Sequence, residues 1–450
     1  MPSSAPGPGA SAFGTIAPIP LHSPPHSSST DGARVVARCD LLKYEPFSDA
    51  GDYLFRPYLG PAHHATIRQV IDWAGEAGMT ARIDGIGNVV ARYEADTPDA
   101  PAILMGSHID SVRNAGAYDG PLGVLLGIEL VNRFHNRGER FPFALEVIAF
   151  GDEEGSRFPG SMMCSSAVTG TLETHSLEIC DGEGVSVAQA LDTFPEVAGQ
   201  RISAKTVVQA RRTAAELLCF VEAHIEQGPL LEAIDEAIGV ATSIAGQQRY
   251  LVTFSGQAGH AGTTSMSLRK DALAASAEAI QMVETVARRF GEDLVATVGH
   301  VEARPGAVNV IPGQVEFTLD IRSGDDVLRK RAAMQILQGL GDIGERRGIP
   351  VMHELIQDLP PSPCDPKLIE IMCEAVRKTG SSGRRMVSGA GHDTMVMSRF
   401  VPSILLFIRC LKGISHNPAE SVTVEDVDQA LEALEHFIRA FPLARDRAED

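Results

Sequence analysis

The chain lacks several features that would assign it to a class at once. Its 450 residues carry no long basic run and no basic patch interleaved with aromatic side chains. Acidic residues outnumber basic ones, 58 to 39, for a formal net charge of −19. A nucleic acid is therefore not an expected partner. No apolar stretch approaches the roughly 20 residues that span a bilayer, so no membrane partner is expected either. The opening segment MPSSAPGPGASAFGTIAPIPLHSPPHSSST holds no basic residue, the first being Arg34. A secretory signal needs a charged start and a compact apolar core, and both are missing. Rich in Pro, Ser, Gly and Ala, residues 1–33 read as a disordered tail, with organelle targeting as the alternative. Seven cysteines are scattered along the chain, odd in number and without zinc-knuckle or redox spacing. Reduced thiols and a cytoplasmic location are the expectation. No internal repeat is visible.

What is present is a large core-forming capacity, 44% hydrophobic over a length that suits two or three domains. Residues 63–79 have helical apolar spacing that stops at a glycine, and 81–94 read as a short hairpin turning at its glycines. PAILMGSH (101–108) predicts an apolar strand, 123–138 a helix, and FALEVIAFGDEEG (143–155) a second buried strand ending in acids. Such alternation indicates an α/β sheet, whose ligands bind beyond the carboxyl ends of the strands. Near residue 243 the character changes. RYLVTFSGQAG (249–259) alternates like a half-exposed strand, 267–290 is a long amphipathic helix, 294–303 and 314–323 are strands, and 325–348 is helical. These suit a compact α+β unit. Helix 366–379, strand 403–410 and a helix near 424–440 then restore the first character. The expected organisation is a catalytic α/β domain in two parts, 34–243 and 355–445, around an inserted domain, 244–354.

The chemistry concentrates in four segments. In HIDSVRNAGAYDGPLG (108–123), His108 and Asp110 point to one side of a strand end, so the carboxylate can orient the imidazole. Glycines at 116, 120 and 123 permit a tight path that would return Asp119 beside His108. GDEEGSRF (151–158) puts Glu153 and Glu154 at the end of an apolar strand, where burial is costly unless a cation or proton compensates. Adjacent residues face different ways, which suits one ligand and one general base. VEAHIEQGPLLE (221–232) carries His224 and Gln227, and LLFIRCLKGISHNPAE (405–420) runs from an apolar strand into a loop with His416. Read singly, His224 is a satisfied core histidine and His416 an ordinary loop residue. Together, imidazoles and carboxylates around one bridging carboxylate make a bed for two divalent cations.

The ordered set GSHIDS, YDGPLGV, DEEGSRF, HIEQGP, GQAGHAGT, VNVIPG, SGAGHD and GISHNPAE, spread from about residue 34 to 440, resembles the amidase/hydantoinase/carbamoylase branch of the binuclear metallopeptidase and aminoacylase superfamily. The resemblance implies a zinc-exopeptidase-like catalytic domain interrupted by a ferredoxin-like lid and dimerisation domain. It implies that Asp119 bridges two ions, with His108 and His224 completing one site and Glu154 and His416 the other. Glu153 would be the general base, Asp110 would support His108, and His260 of GHAG would stabilise the oxyanion, often across a homodimer. A histidine in HIEQG, where peptidase relatives place a carboxylate, points to the amidase branch. Zinc, manganese and cobalt all suit such mixed ligation. The substrate implied is a small anionic ureido acid: allantoate first, with N-carbamoyl-L-amino acids or N-carbamoyl-β-alanine as the alternative. Arg322 and Arg249 are then candidate counter-charges for its carboxylate. Gln227 and Asn309 are candidate contacts to its ureido group, and His392 a pocket-lining residue without a firm role.

Overall fold

The computed structural model describes residues 30–442. In chain order the strands are β1 (Thr80–Ile83), β2 (Val89–Tyr93), β3 (Ala102–His108), β4 (Ala144–Phe150), β5 (Leu217–Ile225), β6 (Ile238–Ile244), β7 (Gly246–Ser255) and β8 (Gly259–His260). They continue with β9 (Leu294–Thr297), β10 (Val301–Arg304), β11 (Val310–Ile311), β12 (Gln314–Ser323), β13 (Val351–Leu359), β14 (Ser362–Pro363), β15 (Arg385–Ser388) and β16 (Ser403–Ile408). The helices are α1 (Asp31–Leu41), α2 (Pro61–Glu76), α3 (Pro121–Asn136), α4 (Met163–Thr169), α5 (Val187–Thr193), α6 (Leu230–Ala233), α7 (Ala272–Arg289), α8 (Asp326–Arg347), α9 (Pro366–Lys378), α10 (Thr394–Met397) and α11 (Val424–Ala440).

The larger sheet has the order β1-β2-β4-β3-β5-β16-β6-β14, with β15 on β6. Its middle is parallel: β4 with β3, β3 with β5, and β5 with β16. Every residue of β3 and β4 is buried. A parallel sheet covered on both faces calls for such continuous apolar strands. Because these four strands run the same way, their carboxyl ends share one edge, and the chemistry collects there.

The second sheet, antiparallel in the order β10-β12-β7-β13 with β9 also on β12, has its own core. β7 and β12 alternate buried and more exposed residues, turning one face to α7 and α8 and leaving the other polar. Asp271 and Asp325 cap these two helices by accepting backbone N–H bonds. The sequence of strand, helix, strand pair, helix and strand follows the ferredoxin-like arrangement.

Three local expectations change. Helix α1 begins at Asp31, capped by Thr30, so residues 31–33 of the expected tail are helical; its earlier part, 1–29, lies outside the described residues. The single strand expected over 294–303 is two, β9 and β10, each paired with β12. The inserted sheet also runs past residue 354, because β13 pairs with β7 as far as Leu359. A bulge between Leu355 and Gln357 breaks the alternation of β13 and hides the strand from a period-two reading. All seven cysteines are free thiols, six of them buried. No helix among the described residues is long and apolar enough to cross a membrane.

Candidate metal centre

His108 is the last residue of β3, Glu153 and Glu154 follow β4, His224 lies near the end of β5, and His416 sits in the loop after β16. Asp119 returns to them through the turn before α3. Gly120 makes that turn possible: its φ is +87°, and a Cβ there would lie 2.5 Å from the His108 ring. Pro121 then starts α3 at its first turn, where no backbone N–H is needed.

The Asp119 carboxylate is the centre of the arrangement. Its Oδ1 lies 3.4 Å from His108 Nε2 and 3.1 Å from His224 Nε2, and its Oδ2 lies 3.2 Å from His416 Nε2. The two buried imidazoles bring their Nε2 atoms within 3.5 Å of each other. Both have acceptors at the opposite nitrogen. His108 Nδ1 faces the carbonyl and carboxylate of Asp110 at 3.3 Å, and His224 Nδ1 faces the Ile225 carbonyl at 2.9 Å. A ring proton held at Nδ1 leaves the Nε2 lone pairs directed at Asp119. Glu154 Oε1 is buried without a hydrogen-bond partner, 3.6 Å from His416 Nε2. Lone pairs and carboxylates converging in a buried space repel one another unless protons or cations lie between them. The residues therefore fit divalent ions, and their donor atoms cluster as His108–Asp119–His224, His108–Glu153–Glu154 and Asp119–Glu154–His416.

The electrostatics follow the same geometry. Burial opposes ionisation of Asp119, but the His108, His224 and His416 imidazoles outweigh it and hold the group well below the usual carboxylate range. Burial pushes Glu153 well above that range, with His108 opposing and Glu154 adding to the rise. Glu154 is pushed up to about 7 by burial and by Asp119. His416, hydrogen-bonded to Asp119, rises to about 9.

A cavity of about 490 Å³ opens over this bed, and Ser161, Met162, Ala390, Gly391, Gly413 and Ser415 complete its wall. The expected supporting residue Asp110 is fully buried and accepts the backbone N–H groups of Glu153 and Glu154 at 3.0 and 3.1 Å, so it ties β3 to the glutamate turn. Gln227 is in the wall, but its amide nitrogen is committed to Asp119 Oδ2 at 2.9 Å and to Ser415 Oγ at 3.1 Å. Only its carbonyl oxygen, buried and unpartnered, remains for a ligand. His392, expected to line the pocket, lies behind it: the ring packs 4.5 Å from that of His224, and Nε2 meets Ser388 Oγ at 2.9 Å. Burial and His224 hold it well below the usual histidine range, so it is a neutral buttress. His260 and Asn309 are exposed on the small β8–β11 ladder, joined through the Ala261 N–H to Asn309 carbonyl bond, and do not line the cavity of their own chain. Arg249 and Arg322 both bind Asp320 on the inserted sheet, and Arg322 also reaches the Gly389 carbonyl at 2.8 Å.

Two residues without an assigned role emerge. Ser415 donates its hydroxyl to Asp119 Oδ2 at 2.9 Å. Glu420, 2% exposed, accepts the backbone N–H groups of Tyr118 at 2.8 Å and Asp119 at 3.1 Å. The bare Gly116 makes room for it, since a Cβ there would meet its carboxyl at 2.2 Å. Replacing Glu420 by alanine leaves two buried amides unpaired, at a cost of about 1–3 kcal/mol each. The expected result is a metal affinity lowered roughly 10- to 100-fold, as for other groups that orient a ligand, with a lower melting temperature. Glu420→Gln retains an acceptor and should recover much of both; chelator competition reads the affinity.

Residues 104–440 match the model of peptidase family M20/M25/M40. The chain is 38% identical over 359 residues to an N-carbamoyl-L-amino-acid amidohydrolase of Pseudomonas sp., covering 80% of this chain and 86% of that protein. It is 36% identical over 421 residues to an allantoate deiminase of Arabidopsis thaliana, covering 87% and 79%. A solved amidase of the hydantoinase/carbamoylase family from Burkholderia multivorans superposes with a TM-score of 0.82 at 32% identity, covering 90% of this chain and 97% of that one. The chain belongs to peptidase family M20/M25/M40, alongside the family's ureido-compound amidohydrolases.

Proposed function

We propose that this hydrolase cleaves the carbamoyl C–N bond of a small ureido acid, allantoate first, yielding ureidoglycine, ammonia and carbon dioxide. The observation that carries this reading is the Asp119 carboxylate with three imidazole nitrogens within 3.4 Å, flooring a cavity that also holds Glu153 and Glu154. Two divalent ions, zinc, manganese or cobalt, suit the bed: His108, His224 and Asp119 would hold one, and Asp119, Glu154 and His416 the other. When bound, such ions supply Lewis acidity, rendering water acidic near neutral pH and polarising a carbonyl oxygen.

The side chains do the rest. Glu153, buried with a raised proton affinity, takes a proton from the attacking water and returns one to the leaving nitrogen. Asp110 fixes both His108 and the glutamate turn. The free carbonyl of Gln227 accepts from a ureido N–H, and Arg322, at the rim through Gly389, meets the substrate carboxylate. Arg249 adds positive charge beside it. His260 and Asn309 serve the site of a second copy in a homodimer formed through the inserted sheet, which acts as a lid; His260 there donates to the developing oxyanion. A cytoplasmic location completes the reading.

Relatives named for allantoate and for N-carbamoyl-L-amino acids match at similar identity, so substrate choice is decided by turnover. Ammonia release from metal-loaded protein is measured with allantoate and with N-carbamoyl-L-amino acids side by side. A higher kcat/KM for allantoate is expected. Release only from the carbamoyl-amino acid gives the site to the alternative substrate, and release from neither ends the ureido-acid reading.

A further inference from the structure

The cavity wall contains three carboxylates, Asp119, Glu153 and Glu154, and no lysine or arginine. An anionic substrate entering it in a chain of net charge −19 needs positive charge at the rim. The inserted sheet carries that charge in an unusual form. Arg249 on β7 and Arg322 on β12 do not stand free; one carboxylate, Asp320, holds both. Its Oδ2 accepts Arg249 Nε at 2.7 Å and Arg322 Nη2 at 3.2 Å, and its Oδ1 accepts Arg322 Nε at 2.8 Å.

The register explains the grouping. Asp320 is directly opposite Arg249 in the β12–β7 ladder, and Arg322 is two residues along the same face. The cross-strand neighbours of the three are uncharged: Thr297 opposite Asp320 and Val295 opposite Arg322 on β9, Gln247 opposite Arg322 on β7, and Gln357 opposite Arg249 on β13. No other charge enters these cross-strand pairs, and the trio carries a net charge of one. Asp320 is ionised: burial opposes this, but Arg322 and Arg249 hold its carboxyl below the usual range. Arg322 fastens the trio to the cavity by donating to the Gly389 carbonyl, next to the wall residues Ala390 and Gly391.

We infer that Asp320 is a specificity-determining residue, which cancels one of two guanidinium charges and tethers both, so that the rim accepts a substrate with a single carboxylate and disfavours one with two. This rests on the ureido-acid reading above. It differs from that reading in its claim: the arginines supply attraction, while the aspartate sets how much.

The test compares N-carbamoyl-L-alanine with N-carbamoyl-L-aspartate, which differ by one negative charge near the ureido acid. In Asp320→Asn protein loaded with metal, the ratio of kcat/KM, or of 1/Ki where the two compounds act as competitors of allantoate turnover, for the dianion over the monoanion should rise roughly 10-fold or more, chiefly through KM or Ki, and the gain should shrink as salt is raised. Asp320→Ser should shift the ratio the same way, showing that charge and not the asparagine amide is responsible. An unchanged ratio in both variants, each folded by thermal melt, overturns the inference. Arg322→Ala separates the two claims. A raised KM for both substrates upholds the carboxylate grip, whereas an unchanged KM means that the grip was misassigned and the role of Asp320 falls with it, leaving the ureido-acid reading to the turnover assay above.

Discussion

Asp119→Ala protein is expected to lose most of its bound metal and to turn over ureido substrate about 10³-fold more slowly or worse, a barrier increase of about 4 kcal/mol. The reason lies in how many partners share this one carboxylate. Both oxygens are occupied, one facing His108 and His224, the other facing His416, Ser415 and Gln227. Without it His108 and His224 retain their own anchors, through Asp110 and Ile225, but no carboxylate is left between the two proposed ions, and Glu154 alone remains as a proposed anionic ligand. Metal analysis of the dialysed variant should fall from about two ions per chain to one or fewer. A variant that keeps both ions and its activity would mean that Asp119 is not the bridge.

Glu153→Gln isolates the second large effect. Gln keeps the shape but cannot take a proton, so kcat should fall by roughly 10²- to 10⁴-fold. Metal content and KM should change little, because Glu154 and not Glu153 completes the proposed second site. The two glutamates are close, and Glu153 also falls within a donor cluster with His108 and Glu154. Loss of an ion together with activity would identify it as a ligand. Full activity would remove it from the mechanism.

These residues were legible in the sequence for physical reasons, and others were not for reasons equally physical. β3 and β4 are unbroken apolar strands ending in acids and a histidine, and the glycines after His108 announce a tight return; each leaves a local signal. β5 does not. Its run LLCFVEAHI is interrupted by Glu222 and His224, and a buried glutamate argues against a core strand until its partners are known. Those partners are Ser107, which donates to one Glu222 oxygen, and Thr394, which donates to the other through its backbone N–H and its hydroxyl. Glu420 stayed unassigned because it acts on backbone amides about 300 residues upstream. A backbone acceptor has no characteristic neighbour in sequence, and only the motif GISHNPAE marked the segment. The arginines were found but not their shared carboxylate, because Asp320 becomes their partner through strand register alone.

The position of β16 has a consequence for how the molecule is made. In the larger sheet it lies between β5 and β6, parallel to the first and antiparallel to the second. A ribosome finishes β5 and β6, and then the whole inserted sheet, long before residues 403–408 emerge. Until then the slot between them exposes two unpaired edges, an invitation to wrong pairing. The same late strand leads into the loop bearing Ser415, His416 and Glu420, so the nascent chain has no complete hydrolytic centre until its last segment threads home. Closure of the sheet is therefore a precondition for assembling the donor set around Asp119.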